Sequence, residues 1–261
     1  MKSEYRLYKH AWVYAGCPDQ ESRLTSDEAT ALLRQGGWMV RNVYDFDIPS
    51  ESRFWFVIKD SFEEMDTFPK KIQHYISKAN EAFEIRPISK ERMIAEGYEV
   101  YCEAFDHYTI QEWKQSKDEF IRSLDNPAYE FWGCIFKETG KLEAWLICHP
   151  MGHMVSKVSS KANPAYLPKY YPMYGLNHRI HEYYLKEKKV QYILSGSRTA
   201  TDHSNIQTFL MEKFGYRKAY CRLKIYYRWW LGLMVRCLYP FRRLIKIVPV
   251  RALLNMHEMQ S

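Results

Sequence analysis

Two short stretches hold side chains that could take a proton from an attacking amine or return one to a leaving group. Glu103 and His107 stand at the end of a predicted helix, and His203 follows a predicted strand within Asp202-His203-Ser204-Asn205. Carboxylate and imidazole groups are common general acids and bases. We therefore expect catalytic roles for Glu103, His107 and His203. A solvated helix-end charge and the N-cap of the next helix are the structural alternatives for these residues.

A second set of polar residues could bind an anionic group. The turn Ser195-Gly196-Ser197-Arg198 follows the predicted strand Val190–Leu194, and ligands of open α/β sheets lie beyond the carboxyl ends of strands. Lys157, Lys161 and Lys169 flank the expected binding groove and could bind phosphates, although each lysine taken alone is more typical of ordinary surface charge. The expected binding residues are Ser195, Ser197, Arg198, Lys161 and Lys169.

The spacing of histidines and cysteines argues against a metal site. The stretch His149-Pro150-Met151-Gly152-His153 has the residues of a turn, and His178-Arg179-Ile180-His181 offers an i, i+3 pair without a third ligand nearby in the sequence. The six cysteines are scattered and form no C-x-x-C pair, which disfavours a zinc site and a disulfide framework. We expect no metal, and a reducing, cytoplasmic environment.

The composition excludes disordered and fibrous chains. Of the 261 residues, 46% are hydrophobic, 16% aromatic and 26% charged, which is typical of one large globular domain or a domain with a smaller companion. The net charge of +7 is unevenly distributed, because eleven basic and no acidic residues lie between Lys213 and Arg251. The C-terminal segment is therefore strongly basic, and the remainder is mildly acidic.

The basic C-terminal segment is also strongly apolar. Over residues 226–248, Arg and Lys interrupt aromatic and aliphatic runs every few positions. This pattern is typical of a helix in the interface of an anionic membrane, whereas packing on the body of the protein and contact with nucleic acid are the alternatives. No apolar run reaches membrane-spanning length, and the first residues are polar. We expect neither a spanning helix nor a secretory signal.

Hydrophobic periodicity predicts a mixed α/β fold. In the first part, helices are predicted after the N-cap signal Thr25-Ser26-Asp27-Glu28 and over Lys70–Ala82, with strands at Trp38–Phe46 and Arg53–Lys59 between them. We expect three parts of the chain: a small α/β segment at 1–83, a larger α/β domain at 84–228 and a basic amphipathic tail at 229–261.

The second part gives a distinctive element order. From Glu84 the predicted order is β-α-α-β-β-β-α-β-α-β, with its second helix over Gln111–Leu124 and a hairpin around Glu138-Thr139-Gly140-Lys141. We expect Val190–Leu194 to lie beside Met154–Ser159 in a single mixed sheet.

This order resembles the GNAT N-acyltransferase fold. The segment Leu210-Met211-Glu212-Lys213-Phe214-Gly215-Tyr216 is similar to the last helix and turn of that family, and the hairpin around Thr139-Gly140 is similar to its second and third strands. The resemblance covers roughly residues 84–228. It implies a twisted mixed sheet flanked by helices, with an acyl arm admitted between two splayed central strands.

Within that superfamily the chain resembles the FemAB-like branch. This resemblance rests on two stretches, which are Lys70–Ala79 followed by Phe83-Glu84-Ile85, and Tyr192-Ile193-Leu194-Ser195-Gly196-Ser197. In FemAB proteins two GNAT-like halves are joined, so residues 1–83 would be a reduced first half. The resemblance implies transfer of an acyl or aminoacyl group from an activated carrier, acyl-CoA or another, to an amine. The implied acceptor is a small-molecule or lipid-linked amine, such as a sugar or a precursor of the cell envelope. The composition of the C-terminal tail adds the expectation that this acceptor is met at the inner face of the membrane.

Two departures from the GNAT pattern leave other functions open. The glycine turn that binds the pyrophosphate of acyl-CoA is replaced by Lys161-Ala162-Asn163-Pro164, and prolines remove N–H donors there. The position that often holds a tyrosine general acid is Met211. The alternatives are a catalytically silent GNAT-like binding module and a protein that binds RNA or charged tRNA. Nucleic acid other than charged tRNA is not expected.

Overall fold

The computed structural model describes residues 4–107, 114–199 and 206–260. Within these ranges the strands are β1 (Tyr5–Tyr8), β2 (Ala11–Tyr14), β3 (Met39–Ile48), β4 (Phe54–Lys59), β5 (Phe83–Ile88), β6 (Glu130–Phe136), β7 (Leu142–Met151), β8 (Met154–Ala162), β9 (Tyr192–Ser197) and β10 (Arg217–Tyr227). The helices are α1 (Ser26–Arg34), α2 (Lys70–Ala82), α3 (Lys90–Asp106), α4 (Lys117–Ser123), α5 (Leu167–Tyr170), α6 (Pro172–His181), α7 (Ile206–Phe214), α8 (Trp229–Leu238) and α9 (Val248–Glu258). A π-helical segment, Glu182–Glu187, continues α6.

Side-chain caps fix two of the helix starts. Thr25 accepts from the backbone N–H of Glu28, whose carboxylate returns the bond, so α1 begins where the sequence predicts. Ser116 and Glu119 form a second capping box at the start of α4. This helix therefore begins at Lys117 and not at Gln111, which corrects the predicted range 111–124. Residues 108–113 lie outside the described part of the chain.

The chain forms two compact units. The first comprises Met1–Val57, Ser197–Gln207 and Arg217–Ser261, and the second comprises Ile58–Gly196 and Thr208–Tyr216. The predicted division of the chain into three parts, with boundaries at residues 83 and 228, stays a prediction.

The strand pairing of the second unit confirms the mixed α/β fold. Its strands lie in the order β9-β8-β7-β6-β5, with β8 and β9 parallel and the other neighbours antiparallel. Met154 pairs with Tyr192 and Ser156 with Leu194, so Val190–Leu194 lies beside Met154–Ser159 as predicted. The element order from β5 to β10 also agrees with the prediction, apart from the short α5 before α6.

Helices cover both faces of the second unit's sheet. Strand residues alternate in direction, so Trp132 and Leu146 pack with Leu176 of α6, whereas Phe131 and Trp145 pack with residues of α3 and α4. Gly175 allows α2 to approach α6 closely, because a Cβ there would lie 2.6 Å from the Ala79 and Ile85 side chains.

The first unit places β1, β2, β3, β10 and the start of β4 side by side. The hairpin β1–β2 was not predicted, because its turn residues Lys9 and His10 adopt positive φ values of 44° and 68° without glycine or asparagine. The predicted tail helix is two helices, α8 and α9, which pack together through Leu231, Val235 and Leu254. None of the helices in the described ranges is both long and apolar enough to cross a membrane.

Candidate functional site

The predicted acid and base residues at the end of α3 are exposed. Glu103 and His107 are both exposed to solvent, and Nδ1 of His107, the C-cap residue of α3, lies 3.0 Å from the carbonyl oxygen of Glu103. The third predicted catalytic residue, His203, lies outside the described residues. A catalytic role for these three residues stays a prediction.

The predicted binding residues are divided between the two units. Ser195 belongs to the second unit, whereas Ser197 and Arg198 belong to the first. The Ser197 hydroxyl accepts from Nη2 of Arg41 at 3.1 Å. Arg198 is half-buried, and its guanidinium lies 4.5 Å from the centre of the Trp55 ring.

The two predicted lysines stand on neighbouring elements of the second unit. Lys161 is half-buried on β8 and pairs in register with Trp145 of β7. Lys169 is exposed on α5, with its amino group 4.7 Å from the Tyr170 ring centre. Both lysines follow the part of β8 that pairs with β9.

The parallel pairing of β8 and β9 ends in the middle of β8. The paired residues of β8 are Met154, Val155 and Ser156, while the strand itself continues to Ala162. Directly after this point β8 contains a bulge, because Lys157 and Ser159 pair with consecutive residues of β7 and Val158 is the extra residue. A bulge turns side chains aside and leaves the backbone groups of the extra residue outside the ladder. The end of the pairing between β8 and β9 and the start of the bulge therefore coincide at Lys157.

Lys157 is tightly held by groups of the second unit. Its amino group donates to Oδ1 of Asn177 at 2.6 Å and lies 5.3 Å from the Tyr216 ring centre. The Asn177 amide is fully buried and oriented by its own bond to the carbonyl oxygen of Met173, at 2.6 Å. Part of the Lys157 stem remains exposed, but burial of the amino group lowers its pKa to about 7. Neutral and charged forms of Lys157 therefore coexist near neutral pH.

A buried imidazole adjoins Lys157. His181 is 1% exposed, and its Nε2 lies 2.9 Å from the Tyr216 hydroxyl. Among the described residues, Nδ1 of His181 has no hydrogen-bond partner. Burial, together with the nearby Lys157 and Lys59 charges, holds the pKa of His181 well below its usual range, and burial raises the pKa of Tyr216. Both rings are therefore neutral, and one imidazole nitrogen is unsatisfied.

Polar groups form a row across three strands on the same side as Lys157. Glu130 pairs with Cys148, and Cys148 pairs with Lys157 in the strand register. The Tyr184 hydroxyl donates to Oε2 of Glu130 at 2.5 Å and accepts from the Trp132 indole at 3.3 Å. Burial raises the pKa of Cys148 to about 12. Tyr184 lies in the π-helical segment, a conformation frequent at functional sites.

The start of α6 does not fit the pyrophosphate of acyl-CoA as a glycine turn would. Pro172 stands at the first helical position and lacks an N–H, and Tyr171 before it is left-handed without a side-chain cap. The Tyr75 ring stacks on Tyr171 with 4.0 Å between centres and contacts Tyr174 at 4.9 Å. Aromatic rings therefore lie where the helix N-terminus would present donors to an anion.

Most of this site carries no specific signal in the sequence. Lys157 is one of three lysines that flank the expected binding groove. His181 belongs to a histidine pair whose spacing argues against a metal site. Asn177, Tyr184 and Cys148 carry no local motif, and their roles depend on strand register and helix packing.

Comparison with known proteins supports the fold. No family model and no curated protein matches the sequence. FemX has a TM-score of 0.51 at 8% identity, covering 77% of this chain and 68% of that chain. The DUF2156 domain assigned to a lysylphosphatidylglycerol synthetase from Agrobacterium fabrum has a TM-score of 0.50 at 11% identity, covering 90% and 83%. The PaiA N-acetyltransferase from Thermoplasma acidophilum, in complex with coenzyme A, has a TM-score of 0.33 at 18% identity, covering 42% and 75%. At these identities the likeness concerns the fold, and the chain has a GNAT-type, FemAB-like fold.

Proposed function

We propose that the chain is an N-acyltransferase whose reaction takes place where β8 separates from β9. The single observation that supports this best is the coincidence of three features at Lys157. The parallel pairing ends at the preceding residue, the bulge begins there, and the Lys157 pKa is lowered to about 7. A base with a pKa near the working pH is the most effective one for deprotonating an amine.

The proposed mechanism uses Lys157 to move one proton. Neutral Lys157 takes a proton from the acceptor ammonium, and the resulting amine attacks the acyl carbonyl carbon. The backbone N–H of Val158, set outside the ladder by the bulge, is placed to polarise the carbonyl oxygen. As the tetrahedral intermediate collapses, the bond from the acyl group to its carrier breaks and protonated Lys157 returns the proton to the leaving group. The nitrogen of the new amide loses its remaining extra proton to solvent, so one proton is released in each turnover. Asn177 keeps the Lys157 amino group in place throughout.

The donor is an activated acyl carrier, and the geometry favours one other than ordinary acyl-CoA. Pro172 and the ring stack at Tyr171 oppose a pyrophosphate at the start of α6. Charged tRNA is the alternative carrier that the FemAB resemblance implies. In this proposal the predicted binding residues of the second unit, Ser195, Lys161 and Lys169, contact the carrier, while Glu103, His107 and His203 serve the acceptor amine. Binding of the carrier by Ser197 and Arg198 of the first unit stays a prediction.

A donor panel tests the proposal. The protein would be incubated with CoA thioesters, acyl-carrier protein or charged tRNA, together with amino sugars as acceptors, and acylated amine would be measured by mass spectrometry. We expect product with at least one carrier, and a rate of product formation about 100-fold or more lower with Lys157→Met. Lys141→Met, which alters an exposed lysine of the hairpin turn, is the matched control. Absence of product with every carrier would contradict the proposal.

A catalytically silent binding module is the second candidate. Met211 lies in α7 where an acid would be expected, and the start of α6 is closed by aromatic rings. If this candidate is correct, a member of the panel raises the melting temperature of the protein while no acylated product forms.

We further propose that residues 226–248 lie on an anionic membrane surface. Trp229 is 81% exposed and Leu244 is 77% exposed, although side chains of this kind are normally buried. The basic residues of the same segment supply attraction to anionic lipid. Binding to anionic vesicles that weakens with salt, and absence of binding to neutral ones, is the expected result. A lipid-linked acceptor at the inner membrane face is consistent with this arrangement.

A further inference from the structure

The first unit contains a cleft that the proposed reaction does not use. Its volume is about 580 Å³, and its lining includes Arg53, Trp55 and Arg198 on one side and α9 on the other. A neighbouring depression is continuous with it, since Asn255 and Glu258 line both. The two together, here called the arginine cleft, present five arginines and one carboxylate: Arg53, Arg198, Arg242, Arg243, Arg251 and Glu258.

The single carboxylate is already engaged. Glu258 accepts from Nη2 of Arg242 at 3.3 Å, and its backbone carbonyl oxygen accepts from Arg53 at 3.3 Å. Arg243 and Arg251 are exposed, and neither guanidinium forms an ion pair with a carboxylate in the described part of the chain. The arginine cleft therefore holds an excess of positive charge that its one carboxylate, Glu258, does not neutralise.

Trp55, which lines the cleft, is in contact with two cations. The Arg198 guanidinium lies 4.5 Å and the Lys218 amino group 4.4 Å from the centre of its ring. The indole Nε1 of Trp55 is buried and has no hydrogen-bond partner among the described residues. An anion in the cleft would add a favourable interaction with the Arg198 charge, since Arg198 lines the cleft as well.

The chain beside these arginines is apolar and exposed. Phe241 and Leu244 immediately flank Arg242 and Arg243 in the sequence, and they are 57% and 77% exposed. Ile247 follows, at 66% exposed. A ligand that carries a phosphate for the guanidinium groups and acyl chains for these side chains matches both features.

We infer that the arginine cleft binds the phosphate of an anionic phospholipid headgroup. This inference rests on the proposed membrane contact and makes it more specific, because it replaces a diffuse charge attraction with a defined site. Guanidinium groups suit this role, since their planar donor pairs match phosphate oxygens. The exposed side chains of residues 241–247 would lie among the acyl chains of the same leaflet.

Charge-matched double variants test the site against diffuse attraction. Arg243→Ala/Arg251→Ala removes two charges from the cleft. Arg236→Ala/Lys246→Ala removes two exposed charges from the same C-terminal segment that do not line the cleft. Affinity of the full chain would be measured by co-sedimentation with phosphatidylcholine vesicles that contain or lack phosphatidylglycerol. We expect the control pair to lose about 30-fold in affinity, which is the loss that diffuse attraction gives for two charges, and the cleft pair to lose at least about tenfold more than the control pair.

The remaining outcomes separate the inferences. Equal losses in the two double variants would overturn the headgroup site and leave diffuse membrane attraction standing. Competition by soluble glycerol phosphate at the concentration of the lipid phosphate would also overturn it, since the site would then be a general anion site. Absence of vesicle binding by the unaltered chain would overturn both membrane proposals. Product formation in the donor panel is measured without vesicles, so failure of acyl transfer is recorded independently.

Discussion

Lys157 in the second unit and Trp229 in the first unit each occupy the environment that their residue type normally avoids. The Lys157 amino group is enclosed, with its pKa lowered to about 7 by burial, whereas Trp229 is 81% exposed. Either arrangement costs folding free energy, because water favours charged amines and disfavours indole rings. In natural proteins such local conflicts concentrate at functional sites. The comparison therefore supports the proposed chemistry at the buried amine and the proposed contact surface at the exposed ring.

The largest expected effect is on the transfer rate. Replacing Lys157 by Met keeps a chain of similar length and removes the base, so we expect the rate to fall about 100-fold or more. The fold should be retained, since a buried charge is replaced by an apolar group. Transfer kinetics and a melting curve would be measured for this variant and for Lys141→Met. An unchanged rate in Lys157→Met would place the chemistry elsewhere, with Glu103, His107 and His203 as the next residues to vary.

The buried partner of His181 gives the next effect. Tyr216→Phe removes the hydroxyl bonded to Nε2 of His181 and leaves both nitrogens of a buried ring without a partner among the described residues. We expect a loss of about 1–3 kcal/mol in the free energy of unfolding, measured in urea. The control, Tyr220→Phe, removes an exposed bond to Glu51 and should cost less than about 0.5 kcal/mol. Equal losses of unfolding free energy in the two variants would show that the buried hydrogen bond between His181 and Tyr216 contributes no more to stability than the exposed one.

Substitutions on the exposed side of α8 should change membrane binding and leave stability almost unchanged. Trp229→Ser/Leu233→Ser should leave the free energy of unfolding within about 0.5 kcal/mol, because both side chains face solvent. Affinity for anionic vesicles should fall about tenfold or more, since apolar burial in the bilayer interface is lost. Leu231→Ala, on the buried side of α8, should instead destabilise the protein by about 2–5 kcal/mol. Unchanged vesicle affinity of Trp229→Ser/Leu233→Ser would contradict the proposal that apolar side chains of α8 are buried in the bilayer interface.

The last expected effect is a gradual pH dependence of stability, spread over several pH units. Folding lowers the Lys157 pKa from 10.5 to about 7, so between these values the unfolded chain holds a proton that the folded chain has released. Stability should therefore rise with pH across this window, by less than about 1.4 kcal/mol per pH unit. The measurement is the difference in unfolding free energy between the unaltered chain and Lys157→Met at several pH values. A constant difference would mean that the Lys157 pKa is not lowered.

Local signals predicted most elements of the fold. Thr25 and Glu28 fix the start of α1 through a capping box that is visible in the sequence. The β1–β2 hairpin is not predicted, because Lys9 and His10 occupy positive-φ turn positions, where glycine or asparagine is the usual signal in a sequence. The start of α4 was placed too early, because the capping box at Ser116 was overlooked.

The sequence by itself determined the order of elements, the mixed α/β class and the concentration of basic and apolar residues after Lys213, because these follow from local periodicity and composition. Only the tertiary structure decided which side chains meet. Glu130, Cys148 and Lys157 stand opposite one another because of the register of three strands, and Asn177 and His181 reach that row because α6 packs on it. A shift of one residue in that register would turn Lys157 to the other face of the sheet. The lowered pKa of Lys157 is therefore a property of register and burial, which no local pattern encodes.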